Sequence, residues 1–404
     1  MNWREELHQE VLRQQMGGPT AARDQSSTGG VGLDRRDFLK ASGGLVIFVA
    51  LGPTGTTPAA AQRRRSYPDD FNAYLRIGED GRVTVFSGKI EMGQGTMTSL
   101  AQMAAEDLGV SLERVDMVMG DTDLCPWDMG TWGSLSTRMF GPALRTAAAK
   151  AREVLIDLAA ERLEVPASQL VVEDGVVYVS SDRQRSISYA ELAGGKPIAH
   201  TVDHEAVLKT AREFSTMGVP TKRLDARDKT TGKAEYAGDI RLPEMLYARV
   251  LRPPAHGSDL RSVDTSRAEQ VPGAVIIRDD DLVAALHEDP EQAEKALDLI
   301  EAAWNVPPPQ MDETTIWDYL ESKDPGGTPQ DVRGSMEAGA ESSTKRITST
   351  FRDGYVAHAP IETHTATAHM DKGKLTLWIS TQSPFGNRSQ VANALGLEEK
   401  NVRV

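Results

Sequence analysis

The apolar residues Leu144, Ala148, Ala151, Leu155 and Leu158 recur at helical spacing between Pro142 and Leu163, and Pro166 stands just past the run. Both flanks of this long helix change period. Upstream, Tyr74, Leu75 and Ile77 and the run Arg82-Val83-Thr84-Val85-Phe86 bracket the turn Glu79-Asp80-Gly81. Downstream, Leu170-Val171-Val172 and Val176-Val177-Tyr178-Val179 bracket Glu173-Asp174-Gly175. Period-2 segments joined across Asp-Gly read as β-hairpins. A further amphipathic run, with Leu100, Met103, Ala104 and Leu108, follows Gly93-Gln94-Gly95. Helices set among hairpins, with 35 Gly, 21 Pro and only 5% aromatic residues, point to an α+β (mixed α/β) enzyme fold rather than a helical bundle.

The pattern weakens over residues 195–227, which are charged and weakly periodic, and a domain boundary is expected near 218. Beyond it, Leu246 to Leu251 reads as a strand stopped by Pro253-Pro254, and Ala274-Val275-Ile276-Ile277 as another. Glu294 to Trp304 reads as a helix with Leu297, Ile300 and Trp304 facing inward. Residues 305–345, rich in Pro, Gly, Ser and acids, read as a linker or surface excursion. A buried strand from Leu375 to Thr381 and a short helix from Gly386 to Leu395 follow. No fixed-period repeat is visible. The expected divisions are therefore 1–33, 34–66, 67–217, 218–304, 305–345 and 346–404.

A chain of 404 residues can bury cores for two or three domains. Its 45 Lys+Arg against 59 Asp+Glu give a net charge of -14, so no nucleic-acid partner is expected, since displacing phosphate counterions needs a basic face. The single cysteine, Cys125, cannot form an intrachain disulfide, a zinc site of Cys pairs or an iron–sulfur cluster. Any cluster must sit on a partner chain.

Residues 1–33 are polar, with clustered Gly, Gln, Ser and Thr, and read as a disordered leader. Asp34-Arg35-Arg36-Asp37-Phe38-Leu39-Lys40 then precedes an apolar run from Ala41 to Leu51 and the small residues Ala59-Ala60-Ala61. The run falls short of the roughly 20 residues a membrane-spanning helix needs, and the layout is that of a signal peptide. Arg35-Arg36 ahead of Phe38-Leu39 resembles the twin-arginine (Tat) signal, with a general secretion signal as the alternative. The expected destination is the periplasm, with the signal either cleaved or kept as an anchor. Because the twin-arginine route moves folded proteins, it also leads one to expect a cofactor inserted before export.

Two segments carry candidate binding chemistry. Glu91-Met92-Gly93-Gln94-Gly95 brackets a glutamine with glycines that let the backbone approach a ligand, at a helix start that favours an anion. Read alone, it is equally a turn with an incidental glutamine. Gly133-Ser134-Leu135-Ser136-Thr137 brings hydroxyls and free amides to the start of the long helix, as a phosphate cradle or a plain N-cap. Together they resemble the pterin-binding loops of the xanthine oxidase / aldehyde oxidase family of molybdenum hydroxylases. The resemblance implies a molybdenum–molybdopterin cofactor held through Gly93, Gln94 and Gly95, with its phosphate at Ser134, Leu135, Ser136 and Thr137.

Further segments extend the resemblance from about residue 72 to the end. Thr231 to Ile240, with the strand after it, resembles the opening of the family's hammerhead domain. His358-Ala359-Pro360-Ile361-Glu362-Thr363-His364 and Ser380-Thr381-Gln382 resemble the edge of its active site. The implied role of Gln382 is a contact to the apical oxo group of molybdenum, where an amide donor stabilises developing charge. His358, Glu362 and His364 superficially suit a zinc cluster. The family's metal is held by the pterin dithiolene, so no metal ligand from the protein is expected.

With the pterin loops ahead of the hammerhead segment and a Tat leader, the order resembles the branch formed by isoquinoline 1-oxidoreductase beta subunits. That implies a pterin-binding domain at 67–217, a hammerhead-like domain at 218–304 and the start of a further molybdenum/pterin-binding region at 346–404. It also implies the cytosine dinucleotide form of the cofactor, a small 2Fe-2S partner subunit carrying two clusters, and a cytochrome electron acceptor. The expected reaction oxidises an N-heteroaromatic or aldehyde substrate with oxygen derived from water. The family's Gly-Gly-Gly-Phe-Gly loop and its glutamate general base find no match in this chain. They are expected on the missing C-terminal half, as a continuation or a separate chain, and a non-catalytic truncated remnant is the alternative. No Gly-x-Ser-x-Gly elbow surrounds Ser134 or Ser136, which speaks against a serine hydrolase.

Overall fold

The computed structural model describes residues 45–47, 74–193, 206–324, 326–328 and 332–404. The leader and most of the expected signal segment lie outside the described residues. Contacts divide the chain into two units, one running to Ile240 and resuming over Thr363–Val404, the other Arg241–Glu362.

In the larger unit, β1 (Leu45–Ile47), β2 (Tyr74–Ile77), β3 (Val83–Ser87) and β4 (Val115–Met119) form a sheet in the order β1-β2-β3-β4. The β2–β3 hairpin is antiparallel as its Asp-Gly turn requires, while β3 and β4 run parallel. Parallel neighbours need a crossover, and helix α1 (Thr96–Leu108) supplies it. Helix α2 (Gly141–Leu163) buries Leu144, Ala147, Ala148, Ala151 and Leu155 against Leu100, Ala101, Ala104, Ala105 and Leu108 of α1. So many alanines on facing stripes let the two helices approach closely, and Leu75, Ile77, Val83 and Val85 close the core from the sheet.

A meander of β5 (Leu170–Glu173), β6 (Val176–Val179) and β7 (Asp182–Ser188) covers the other end of α2. The third strand escapes an apolar pattern because most of β7 is exposed and polar. In the short helix α3 (Tyr189–Ala193), the buried Tyr189 hydroxyl donates to Leu108 O at 2.8 Å, answering one of the last carbonyls of α1. Burial pushes the pKa of that phenol up.

Residues 206–225 form a strap along α1, so the compact unit continues past the boundary expected near 218. Lys209 N–H donates to Asp107 and its ammonium to Glu106. Glu106 also accepts from the N–H groups of Ser215, Thr216 and Met217 at 2.9, 2.6 and 3.0 Å. Further on, Gln102 donates to Thr216 O and Val219 O, and Leu224 N–H donates to Thr98. The strap therefore runs from the C-terminal end of α1 back to its N-terminal end, held by polar anchors, which is why it shows no apolar period. A short helix α4 (Ala226–Thr231) follows.

In the smaller unit, β10 (Val275–Asp279), β11 (Leu282–His287) and β8 (Tyr247–Val250) form one sheet, while β9 (Asp259–Asp264) pairs with β12 (Glu301–Asn305). The helix expected to reach Trp304 is α5 (Pro290–Asp298), begun by the Asp289 cap and by Pro290 in its first turn. Trp304 instead lies on β12 beside a bulge, so the helical spacing of Leu297, Ile300 and Trp304 is broken where β9 offers backbone hydrogen bonds. Two helices without buried residues, α6 (Ile316–Lys323) and α7 (Met336–Ser342), punctuate the stretch expected as linker.

The chain then rejoins the larger unit as β13 (Ala366–Asp371), β14 (Lys374–Ile379), helix α8 (Pro384–Leu395) and β15 (Val402–Arg403). Arg403 pairs with Asp121, Lys374 with Asp123, and Val404 N–H donates to Thr122 at 2.9 Å. Among the described residues no helix is long and apolar enough to cross a membrane.

Burial pushes the Glu106 pKa up, but the Lys209 ammonium and the N–H groups of Met217, Thr216 and Ser215 outweigh it and hold the carboxyl at about 2, below its ordinary 4.5. A depressed carboxyl contributes stability that is fully present above 4.5 and is lost as pH falls through about 2. Glu106→Gln is expected to cost about 2 kcal/mol at neutral pH. Urea denaturation should show the gap to the parent shrinking between about pH 4.5 and pH 2. A gap independent of pH would rule out the charged anchor.

Candidate functional site

The chain leaves β3 and enters α1 through residues 88–95, and this loop winds around one carboxylate. Glu91 Oε1 accepts from Gly93 N–H at 2.8 Å and Gly95 N–H at 3.1 Å, and Oε2 accepts from Met97 N–H at 2.9 Å. Such a tight winding needs left-handed backbone, with φ of 107° at Gly93 and 86° at Gly95. A β-carbon placed on either glycine would meet nothing within 4 Å. The main chain here faces open space.

Gln94 is exposed and held by its own loop, Oε1 accepting from Met92 N–H at 2.7 Å and Nε2 donating to Ile90 O at 2.8 Å. Arg223, arriving at the end of the strap, donates to Gly93 O at 2.7 Å and to Glu91 Oε1 at 3.0 Å. Asp225 holds the same guanidinium. The hydrogen bond from Arg223, helped by Lys229 against the opposing effect of burial, keeps the Asp225 carboxyl at about 2.

A second loop meets the first from beneath. Lys89 and Asp128 form an ion pair at 2.9 Å with side chains only 1% and 2% exposed. The Lys89 ammonium also donates to Gly130 O at 2.7 Å, and Gly130 N–H donates to Asp128 at 2.8 Å. Next along, Ile90 N–H donates to the Thr131 hydroxyl and Thr131 N–H donates to Gln382 O, each at 2.9 Å. Gln382 Nε2 donates to Met92 Sδ at 3.4 Å. Gln94 and Gln382 are thereby brought to one network, through Ile90, Met92 and Thr131.

The Ser-Leu-Ser-Thr segment continues from this loop, with Leu135 N–H donating to Trp132 O at 3.2 Å. Gly133 and Ser134 are both left-handed, at φ 63° and 57°. Ser134 and Thr137 are exposed, Leu135 is half-buried and Ser136 buried. A π-helical turn, Ser136–Phe140, precedes α2, and neither it nor α2 has a side-chain cap. The plain N-cap alternative is thus not realised. π-Helical turns are rare, and those found inside α-helices are frequent at functional sites.

Glu91, Lys89, Asp128, Thr131 and Arg223 organise these loops, yet pattern reading nominates none of them. The only local signal is a lysine set between a buried strand and a glycine loop; the partners are distant in sequence. His358, Glu362 and His364 are exposed, and among the described residues no group of three or more His, Cys, Asp or Glu could hold a metal ion. Cys125 is buried.

Two family models, each described as a molybdopterin cofactor-binding domain, match residues 34–237 and 322–404. The chain is 31% identical over 390 residues to the B subunit of nicotinate dehydrogenase from Pseudomonas putida, covering 91% of this chain and 32% of that protein. It is 28% identical over 425 residues to the beta subunit of isoquinoline 1-oxidoreductase from Brevundimonas diminuta, covering 91% of this chain and 54% of that one. The chain therefore spans about a third of the first relative and about half of the second. Crystalline quinoline 2-oxidoreductase from Pseudomonas putida 86 shares 34% identity over 30% of this chain and 15% of its own, with a TM-score of 0.27 that bears no weight for the fold. The matched domains enclose both the glycine-bracketed glutamine and Gln382, and the chain belongs to the molybdopterin cofactor-binding domain family.

Proposed function

We propose that this chain is the pterin-holding part of a periplasmic molybdenum hydroxylase that oxidises an N-heteroaromatic or aldehyde substrate with water-derived oxygen. The observation that carries the reading is the loop at residues 91–95. Its main chain is left-handed and open where two β-carbons would stand, with a glutamine amide between them. That arrangement fits a flat, polar ring system that needs backbone approach and amide recognition. When bound, the cofactor supplies the metal and the two-electron redox chemistry.

The chain's own residues hold and orient. Each Gln94 amide atom makes one hydrogen bond within the loop, which leaves one N–H and one lone pair for the pterin. Gln382 donates to a sulfur, a weak acceptor, so its amide is available to a better one. The hydroxyls of Ser134, Ser136 and Thr137 and the amides around the left-handed Gly133-Ser134 turn suit a phosphate. The dinucleotide form with cytosine, the small subunit with two 2Fe-2S clusters and a cytochrome acceptor belong to the same proposal. The 241–362 unit takes the place of the hammerhead domain.

The decisive experiment is co-expression with all its partner chains, the small iron–sulfur subunit among them, followed by assay of the purified complex for molybdenum and for pterin as its fluorescent oxidised derivative. Both are expected in near-equal amounts to the chain, and a complex free of both would overturn the reading. Gln94→Ala is expected to lower retained pterin about tenfold at unchanged thermal stability. Gly93→Ala, which forces a β-carbon into a left-handed position, should lower it further and destabilise the loop by about 1–2 kcal/mol.

Export is tested separately. Replacing Arg35 and Arg36 by lysine is expected to leave the chain in the cytoplasmic fraction. Periplasmic recovery unchanged by that pair of substitutions would exclude the twin-arginine route.

A further inference from the structure

The Gly93–Gly95 turn is not a self-contained glycine loop. Its shape is set by Glu91, whose two oxygens accept three consecutive-turn N–H groups, from Gly93, Gly95 and Met97. A carboxylate that is only 8% exposed and so surrounded carries a full charge that the N–H dipoles answer only in part. The remaining answer is Arg223. Its guanidinium bridges Glu91 Oε1 and Gly93 O, touching both the carboxylate that winds the loop and a carbonyl on the loop itself.

Arg223 reaches that place because of how residues 206–225 are anchored. Lys209, Ser215, Thr216, Leu224 and Met217 fix the strap along α1, and Asp225 clamps the guanidinium from behind. The contact spans 132 residues of sequence and couples the end of the strap to the main chain beside Gln94. Without Arg223, Glu91 loses its only cationic partner among the described residues, and Gly93 O loses its donor.

From this geometry we infer that Arg223 is a positioning residue for cofactor binding: acting through Glu91, it latches the Gly93–Gly95 loop in the conformation that presents Gln94. The latch rests on the reading of the loop as a pterin site, but its effect on the loop itself does not, and the two are measured separately.

The test compares Arg223→Gln and Arg223→Lys with Arg114→Gln, which removes the ion pair with Asp174 in the same unit and touches neither the strap nor the loop. In the full chain produced in a host unable to make molybdopterin, amide hydrogen exchange of Gly93, Gly95 and Met97 is expected to speed up about tenfold in Arg223→Gln, and not in Arg114→Gln. In the complex from a competent host, Arg223→Gln is expected to release pterin about tenfold faster on gel filtration. Arg223→Lys, which keeps the charge but can reach only one acceptor well, should fall between. Unchanged exchange in Arg223→Gln, or equal acceleration in Arg114→Gln, overturns the latch. Faster exchange with pterin retention equal to the parent overturns its link to the cofactor. A parent complex that holds no pterin while exchange responds as expected overturns the pterin reading and leaves the latch standing.

Discussion

Two adjacent carboxylates at the end of α1, Glu106 and Asp107, have 1% and 0% of their surface exposed, and much of the larger unit follows from that fact. Taking a carboxylate out of water costs several kcal/mol unless donors replace the lost hydration. Asp107 is answered by Arg145 of α2 and by the N–H of Lys209, Glu106 by the Lys209 ammonium and a run of main-chain N–H groups. The first set ties α1 to α2 where their alanines meet; the second ties the strap to α1 in one register. Once that register is set, the remaining anchors at Gln102 and Thr98 follow in order, and the strap ends at the glycine loop. Buried charge at one end of a helix thus determines which side chain arrives at the other.

The parts legible in the sequence are those whose cause is local. The α2 stripe and the hairpins with Asp-Gly turns appear as their spacing predicts, because a helix face and a two-strand turn are each specified within a few residues. Trp304 shows the limit. It lies in register with a helical stripe, yet pairing with β9 some 40 residues earlier claims its backbone. The strap shows another limit, since polar anchors to a helix leave no periodic trace.

The site divides in the same way. Gln94 and the Ser134–Thr137 segment stand out by their glycines and hydroxyls, and Gln382 only through resemblance to known loops, since Gln382 and Met92 are 290 residues apart in sequence. Asp128, Thr131 and Arg223 carry no signature at all, and Lys89 only its place between a buried strand and a glycine loop. Each is a common residue type whose meaning is its partner, and the partners lie 39 to 132 residues away. Spatial pairing of that kind cannot be read from one sequence without its fold.

What these concealed residues achieve is visible in where they grip. Lys89, with Asp128 and Gly130, fixes the loop at the shoulder where it leaves β3, and Thr131 holds the next residue, Ile90. Glu91 and Arg223 fix the opposite shoulder, where it enters α1. Only Met92, Gly93 and Gln94 between them are exposed. A buried ion pair adds little net stability over a well-packed apolar pair of the same size, so stability alone is a weak reason for the Lys89–Asp128 pair. Register is a better one, because the same ammonium and carboxylate also take up the carbonyl and the N–H of Gly130 and so align the second loop with the first. A loop clamped at both shoulders has already lost most of the freedom a ligand would otherwise have to remove. Its three exposed residues can then be flexible in type, two of them glycine and methionine, and still present one amide in a fixed place.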